Sequence, residues 1–137
     1  MAEFQKPPKE IRSLVKEIRA KYYPKFDKAK IVILIRFGKW DKWGTIQRVG
    51  KMHRQAGIDG DYILTLNGDA WQVMTEKQHR ALVDHELYHM RRKKTKTGIA
   101  FVLRHHDVEE FVAIIKRYGD WSPNLKLLRE VLLKKAQ

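Results

Sequence analysis

The chain has 137 residues, of which 43% are hydrophobic and 33% are charged, and it contains no cysteine. This length fits one domain, and the composition is that of a globular protein rather than a disordered one. The lack of cysteine excludes a disulfide framework and any thiolate metal site. A bound metal would therefore have to be held by imidazole and carboxylate groups.

The formal net charge of +13 is the strongest compositional feature. Such an excess favours contact with nucleic acid or another polyanion. The alternative is a solvated surface that keeps the protein in solution. No zinc-finger, helix-turn-helix or RNP-type pattern accompanies the charge, so any nucleic-acid contact is expected to be independent of base sequence. The basic residues that cluster in the middle of the chain are Arg91, Arg92, Lys93, Lys94 and Lys96.

No segment resembles a signal peptide or a membrane span. The N-terminal residues lack an apolar core of signal-peptide length, and nowhere do about 18 apolar residues follow one another without a charge. The sequence therefore predicts a cytoplasmic protein that does not bind membranes.

In the first half of the chain, the predicted elements are one helix and two or three strands. Apolar residues at helical spacing predict a helix over 11–22, and Pro24 ends it. The β-branched run 31–37 predicts a buried strand. A hairpin or short strand is expected near 45–49, and turn signals on both sides mark a clear strand at 62–66.

In the second half, helices dominate. Thr75 and Gln78 form a capping-box pattern that opens a helix running to about residue 90. The basic segment 91–97 is predicted to be a loop, and the apolar segment 98–103 to be a strand or one arm of a hairpin.

Two further helices complete the predicted fold. A second capping-box pattern begins at Asp107 and opens a helix that stops near Gly119, and Ser122 caps a last helix over 123–134. The element order predicts a single α+β domain over residues 1–137.

The chemistry is expected at His85-Glu86-Leu87-Tyr88-His89, within the helix that follows Thr75. Residues four apart share one face of a helix, so His85 and His89 can direct two imidazoles at one zinc ion. Glu86 is turned toward the rim of that site, where it can take a proton from the attacking water and pass it to the leaving amine. The alternative is a helix with two surface histidines and a solvated glutamate. The neighbouring Asp84 could orient a ligand or form a salt bridge to the basic segment, but a solvated side chain is expected.

A catalytic zinc site needs a third protein ligand and leaves one position for water. His106 ranks first, because it precedes a predicted helix and has no capping role there. His105 is second by adjacency, and either His105 or Tyr118 is expected to stabilise the oxyanion of the tetrahedral intermediate. The alternatives for the third ligand or its support, which also suit a helix N-terminus, are Asp107, Glu109 and Glu110.

Three segments together resemble the putative phage metallopeptidase family: ALVDHELYH at 81–89, LRHHDVEEF at 103–111 and YGDW at 118–121. The resemblance implies a minimal zincin-like fold, in which a short twisted sheet packs on the HExxH helix. It also implies zinc-dependent hydrolysis of peptide bonds in a protein or peptide substrate. In such peptidases the edge strand beside the metal pairs with an extended substrate.

The chain is also similar to SprT-like peptidases, in which a histidine ahead of a helical phenylalanine completes the zinc site. Here His106 lies five residues before Phe111, where the SprT-like pattern usually has four. The chain also has no zinc-ribbon tail. The identity of the third ligand therefore stays open.

Two other functions are compatible with the sequence. One is a zincin fold that holds zinc for structure or has lost its activity. An open coordination position on the zinc would argue against a structural role. The other is a basic nucleic-acid-binding module in which the HExxH motif is accidental, which predicts salt-sensitive DNA binding without a metal. A peptidase recruited or activated by DNA would combine the two features.

Overall fold

The computed structural model describes residues 2–104, 112–119 and 121. Helices and strands alternate irregularly along the chain, as expected for the α+β class. Their order is β1 (Glu3–Gln5), α1 (Lys9–Tyr22), a 3-10 turn (Pro24–Phe26), β2 (Ile31–Phe37), β3 (Gly44–Arg48), α2 (Lys51–Gln55), β4 (Tyr62–Asn67), α3 (Gly68–Val73), α4 (Glu76–Tyr88), β5 (Met90–Thr95), β6 (Gly98–Leu103) and α5 (Val112–Tyr118).

Four strands form the main sheet, in the order β1-β2-β4-β3. The two inner strands, β2 and β4, pair in parallel, with Ile31 beside Tyr62 and Arg36 beside Asn67. The two edge strands pair antiparallel to their neighbours. β4 is buried along its whole length, as is typical of a strand covered on both faces. The edge strand β3 packs against α4.

Helices α1 and α4 pack together and form one core with the sheet. The apolar residues of α1 recur every three or four positions, so one face of that helix is buried while its charged residues stay exposed. Each fully buried aliphatic side chain contributes about 1.5–3 kcal/mol through its removal from water. Residues that join the two helices to the sheet include Ile11, Val15, Ile18, Leu64, Leu66, Leu82, Val83 and Leu87.

Helix α4 begins at the capping box that the sequence predicts. Thr75 Oγ1 accepts a hydrogen bond from the backbone N–H of Gln78 at 3.2 Å, and the side chain of Gln78 accepts one from the N–H of Thr75 at 2.9 Å. The helix ends at Tyr88, two residues earlier than predicted, and His89 follows with helical dihedral angles. Both histidines of the HExxH motif therefore keep helical spacing.

The basic segment after α4 is part of a strand, so the prediction of a loop over 91–97 is wrong for residues 91–95. β5 and β6 form a separate antiparallel hairpin, with Met90 opposite Leu103 and Thr95 opposite Gly98. Gly98 has a φ of 139°, which glycine adopts without strain. β6 packs against β3, and pairing with this apolar strand holds the polar β5 in the extended state.

Three short elements, β1, α2 and α3, were not predicted. Helix α3 begins directly after β4, where the Asn67 side chain caps it by accepting a hydrogen bond from Ala70 N at 3.0 Å. The predicted helix that stops near Gly119 is confirmed over Val112–Tyr118. Its predicted cap at Asp107 and the predicted helix over 123–134 lie outside the described residues. No helix in the described part of the chain is both long and apolar enough to cross a membrane.

Candidate metal centre

His85, Glu86 and His89 meet at the C-terminal end of α4. One potential ligand atom from each residue lies within 4.8 Å of the other two. The two imidazole rings are 5.4 Å apart between centroids and inclined by 75°, and His85 Nε2 lies 3.7 Å from Glu86 Oε1. Two imidazoles beside a carboxylate fit the nitrogen and oxygen donors that zinc takes in a protein without cysteine.

The cluster is shielded from water on one side by aromatic rings. The side chain of His85 is 12% exposed and that of Glu86 is 6% exposed. The Trp121 ring lies 6.1 Å from the His85 ring, and Trp43 lies 5.7 Å from Trp121. Low exposure strengthens electrostatic interactions within the cluster, because less water is present to screen them.

His89 is held by the first residue after β6. Its Nδ1 lies 2.7 Å from the carbonyl oxygen of Arg104, and the backbone N–H of Arg104 donates to the carbonyl of His89 at 2.6 Å. A carbonyl can only accept, so in the neutral ring Nδ1 carries the proton and Nε2 keeps a lone pair that a metal ion could use. Metal-binding histidines commonly have their second nitrogen fixed in this way.

Asp84, one position before His85, is completely buried. The expectation that it is solvated is therefore wrong, because α4 turns this face toward α1 and α5. Its carboxylate accepts hydrogen bonds from the hydroxyl of Tyr23, from Tyr118 at 3.0 Å, and from Arg117 Nη1 at 2.6 Å to both oxygens. The C-terminal end of α1 and helix α5 are thereby tied to the helix that carries the HExxH motif.

The phenols around Asp84 stay protonated because burial raises the pKa of both Tyr23 and Tyr118, and the nearby carboxylate raises each further. Tyr118 was predicted as an oxyanion stabiliser. In the structure, the Tyr118 hydroxyl donates a hydrogen bond to the Asp84 carboxylate. A role at the oxyanion stays a prediction.

The predicted sources of the third ligand, His105, His106, Asp107, Glu109 and Glu110, lie outside the described residues. Both flanks of their segment are described. On one side, Arg104 is hydrogen-bonded to His89. On the other side, Arg117 and Tyr118 of α5 donate hydrogen bonds to Asp84.

Two features of this region have no signal in the sequence. Arg104 contacts His89 through its backbone carbonyl, so the identity of its side chain gives no hint of this contact. Arg117 lies 33 positions from Asp84, and one basic residue among the 29 lysines and arginines does not stand out as its partner.

The fold and the cluster together define a class of protein. It is an α+β domain in which an HExxH helix brings two imidazoles and a buried glutamate together. The chain belongs to the family described as Putative phage metallopeptidase, whose model matches residues 2–134. This match confirms the resemblance seen in the sequence. The family name implies a bound metal ion and a protein or peptide substrate. The searches of curated proteins and of solved structures returned no match.

Proposed function

We propose that the chain is a zinc-dependent peptidase, formed as one zincin-like domain over residues 1–137. His85 and His89 bind the ion, and Glu86 is the general base. The observation that carries the proposal is the meeting of these three side chains within 4.8 Å, with His89 Nδ1 already donating to Arg104. When bound, zinc lowers the pKa of a water ligand and polarises the scissile carbonyl.

The third ligand is proposed to come from the segment after Arg104, with His106 as first choice and His105 as second. In the sequence, only one residue separates His106 from Arg104. Arg104 is hydrogen-bonded to His89 through both its N–H and its carbonyl, so the segment proposed to supply the ligand follows directly on a residue that contacts the cluster. The acidic alternatives, as third ligand or as its support, are Asp107, Glu109 and Glu110.

Glu86 is proposed to move the proton in both halves of the reaction. Its carboxylate takes a proton from the attacking water as the water oxygen bonds to the carbonyl carbon. The same proton then passes to the amide nitrogen as the C–N bond breaks, so the leaving group departs as a neutral amine. The contacts of Asp84 with α1 and α5 keep α4 in place and hold this base in a fixed position.

The substrate is proposed to bind as an extended peptide along β3. This strand is an edge of the four-stranded sheet and packs against the helix that carries Glu86. Pairing with an edge strand uses main-chain hydrogen bonds, so it accepts many side-chain sequences and leaves selectivity to neighbouring pockets. Trp43, which immediately precedes β3 and contacts Trp121, is proposed to line one such pocket.

The first experiment measures metal content by mass spectrometry on protein purified without chelator. Wild type is compared with His106→Ala and with the double variant Glu109→Ala/Glu110→Ala. About one zinc per chain, lost only in the histidine variant, would support the site and identify its third ligand. Loss only in the glutamate variant would assign a carboxylate ligand instead. Wild type without metal would refute the proposal.

The second experiment tests the general base with a fluorescence-quenched unfolded protein as substrate. Glu86→Gln should keep its zinc and lose about 10²–10⁴-fold in hydrolysis rate, the usual contribution of a positioned general base. A matched control is His79→Gln on the same helix. The His79 ring stacks on the Trp71 ring, with 3.8 Å between their centroids, and is not part of the cluster, so this change should not affect the rate. Full activity in Glu86→Gln would refute the role of this residue, and zinc-loaded wild type without hydrolysis would favour the idle zincin.

A further inference from the structure

We propose that the β5–β6 hairpin binds double-stranded DNA through its phosphates, a function separate from the proposed peptidase activity. All nine residues from 91 to 99 are exposed. No acidic residue occurs between Met90 and Arg104. The exposed basic side chains, called the basic ribbon below, are those of Arg91, Arg92, Lys93, Lys94 and Lys96.

Within the described residues, these five charges have no structural partner. In the part of the chain that the structure describes, none of them forms an ion pair or lies over an aromatic ring. By contrast, Arg80 pairs with Glu17, and Arg117 pairs with Asp84 and stacks on Tyr22. Adjacent like charges repel one another, and a polyanion would relieve that repulsion.

The charges lie on both faces of the hairpin. Side chains alternate along a strand, so Arg91 and Lys93 project from one face while Arg92 and Lys94 project from the other. A membrane or another flat anionic surface meets only one face of such a ribbon. The groove of a duplex presents phosphates on both sides, so it can neutralise both sets of charges together.

The dimensions of the hairpin favour B-form DNA over duplex RNA. The major groove of B-DNA is about 12 Å wide and admits a two-stranded β-ribbon. The major groove of A-form RNA is deep and too narrow for protein side chains to read. The charged side chains of the basic ribbon are suited to phosphate contacts, which carry no base-sequence information.

The hairpin is anchored at its base and projects at its tip. Phe101 packs near the rings of Phe26 and Tyr62, and the Tyr62 hydroxyl donates to the Val102 carbonyl at 2.7 Å. Further along the same strand, Ile99 is 51% exposed. A fixed base with an exposed, charged tip presents the basic ribbon without a folding step on binding.

The test uses fluorescence anisotropy with a fluorescein-labelled 20-base-pair DNA duplex of arbitrary sequence, between 50 and 200 mM NaCl. The hairpin variant replaces Arg91, Arg92, Lys93 and Lys94 with glutamine, which lowers the net charge from +13 to +9 (13 − 4). The matched control makes the same change in charge by replacing four exposed basic residues on and just after α1 with glutamine: Lys9, Arg12, Lys16 and Lys25.

Each phosphate contact contributes about −0.9 to the slope of log K against log salt concentration, so four contacts contribute roughly −3.6. Through these contacts wild-type affinity should fall about 150-fold between the two salt concentrations. The hairpin variant should lose this part of the slope, and the control should keep it. The milder pair Lys93→Gln/Lys94→Gln should lose about half of it, and far-ultraviolet circular dichroism checks that each variant is folded.

Three outcomes would overturn the proposal. The first is wild type that does not bind the duplex at 50 mM NaCl. The second is a control that loses as much slope as the hairpin variant, since the effect would then reflect net charge. The third is equal or tighter binding to duplex RNA, single-stranded DNA or vesicles of anionic lipid. Every titration uses the Glu86→Gln background, so the result does not depend on whether the chain is a peptidase.

Discussion

Asp84→Asn removes the negative charge of a completely buried side chain and leaves its volume almost unchanged. The two hydrogen bonds that Arg117 donates, both at 2.6 Å, lose their charged acceptor, and the guanidinium is left partly buried. Removing one partner of a buried ion pair costs about 3–5 kcal/mol. The Arg117 side chain is 26% exposed and keeps some hydration, so we expect the lower end, about 3 kcal/mol.

The loss should appear as a fall in melting temperature. Unfolding entropy is about 2.1 cal/mol/K per residue, so for 137 residues a loss of 3 kcal/mol lowers the melting temperature by about 10 °C. Thermal unfolding followed by circular dichroism measures it, with a chelator present in every sample. Without metal, the variant cannot lose stability through weaker binding at the neighbouring His85.

Asp59→Asn is the matched control, because it makes the same chemical change in an exposed pair. Asp59 lies 3.1 Å from Lys30, and the two side chains are 93% and 62% exposed. Exposed pairs contribute about 0–1 kcal/mol, so this variant should melt within a few degrees of wild type. If Asp84→Asn costs less than about 1 kcal/mol, or no more than the control, the buried network does not hold α4 as described.

Two further predictions concern pH and packing. Burial raises the pKa of Tyr62 from 10.0 to about 12, so between these values the unfolded chain releases a proton that the folded chain keeps, and stability falls as pH rises. The urea midpoint of unfolding, measured at pH 9, 10 and 11, should fall as pH rises. In Tyr62→Phe the midpoint should fall less steeply with pH, and an equally steep fall would contradict the raised pKa of Tyr62. In Gly68→Ala the new methyl carbon would lie 2.5 Å from the Phe37 ring, which should cost ~1–3 kcal/mol in urea unfolding. The cost should shrink when Phe37→Leu is added, and a wild-type midpoint for Gly68→Ala would show that the ring moves aside freely.

The elements that the sequence predicts best are those that depend on local signals. β2 has the predicted bounds, Ile31–Phe37, because a run of β-branched residues has few alternatives to a buried strand. The capping box of Thr75 and Gln78 marks the start of α4 within one residue. The helical spacing of His85 and His89 then follows from the geometry of the helix alone.

The features that were missed depend on contacts between distant residues. β5 has no apolar alternation and is a strand because β6 pairs with it. Asp84 resembles a surface residue in the sequence, and its burial follows from Tyr23, 61 positions away, and Arg117, 33 positions away. No local pattern encodes the approach of α1 and α5 to one face of α4.

The β5–β6 hairpin brings the chain back to the end of α4. There both the N–H and the carbonyl of Arg104 are hydrogen-bonded to His89. Residues added in the turn at 96–97 would lengthen the tip and leave Arg104 beside His89. One residue added within either strand would shift the register from Met90 opposite Leu103, and side chains beyond it would change face. The hairpin of this chain could therefore be lengthened or shortened at its tip without loss of the support that Arg104 gives to His89.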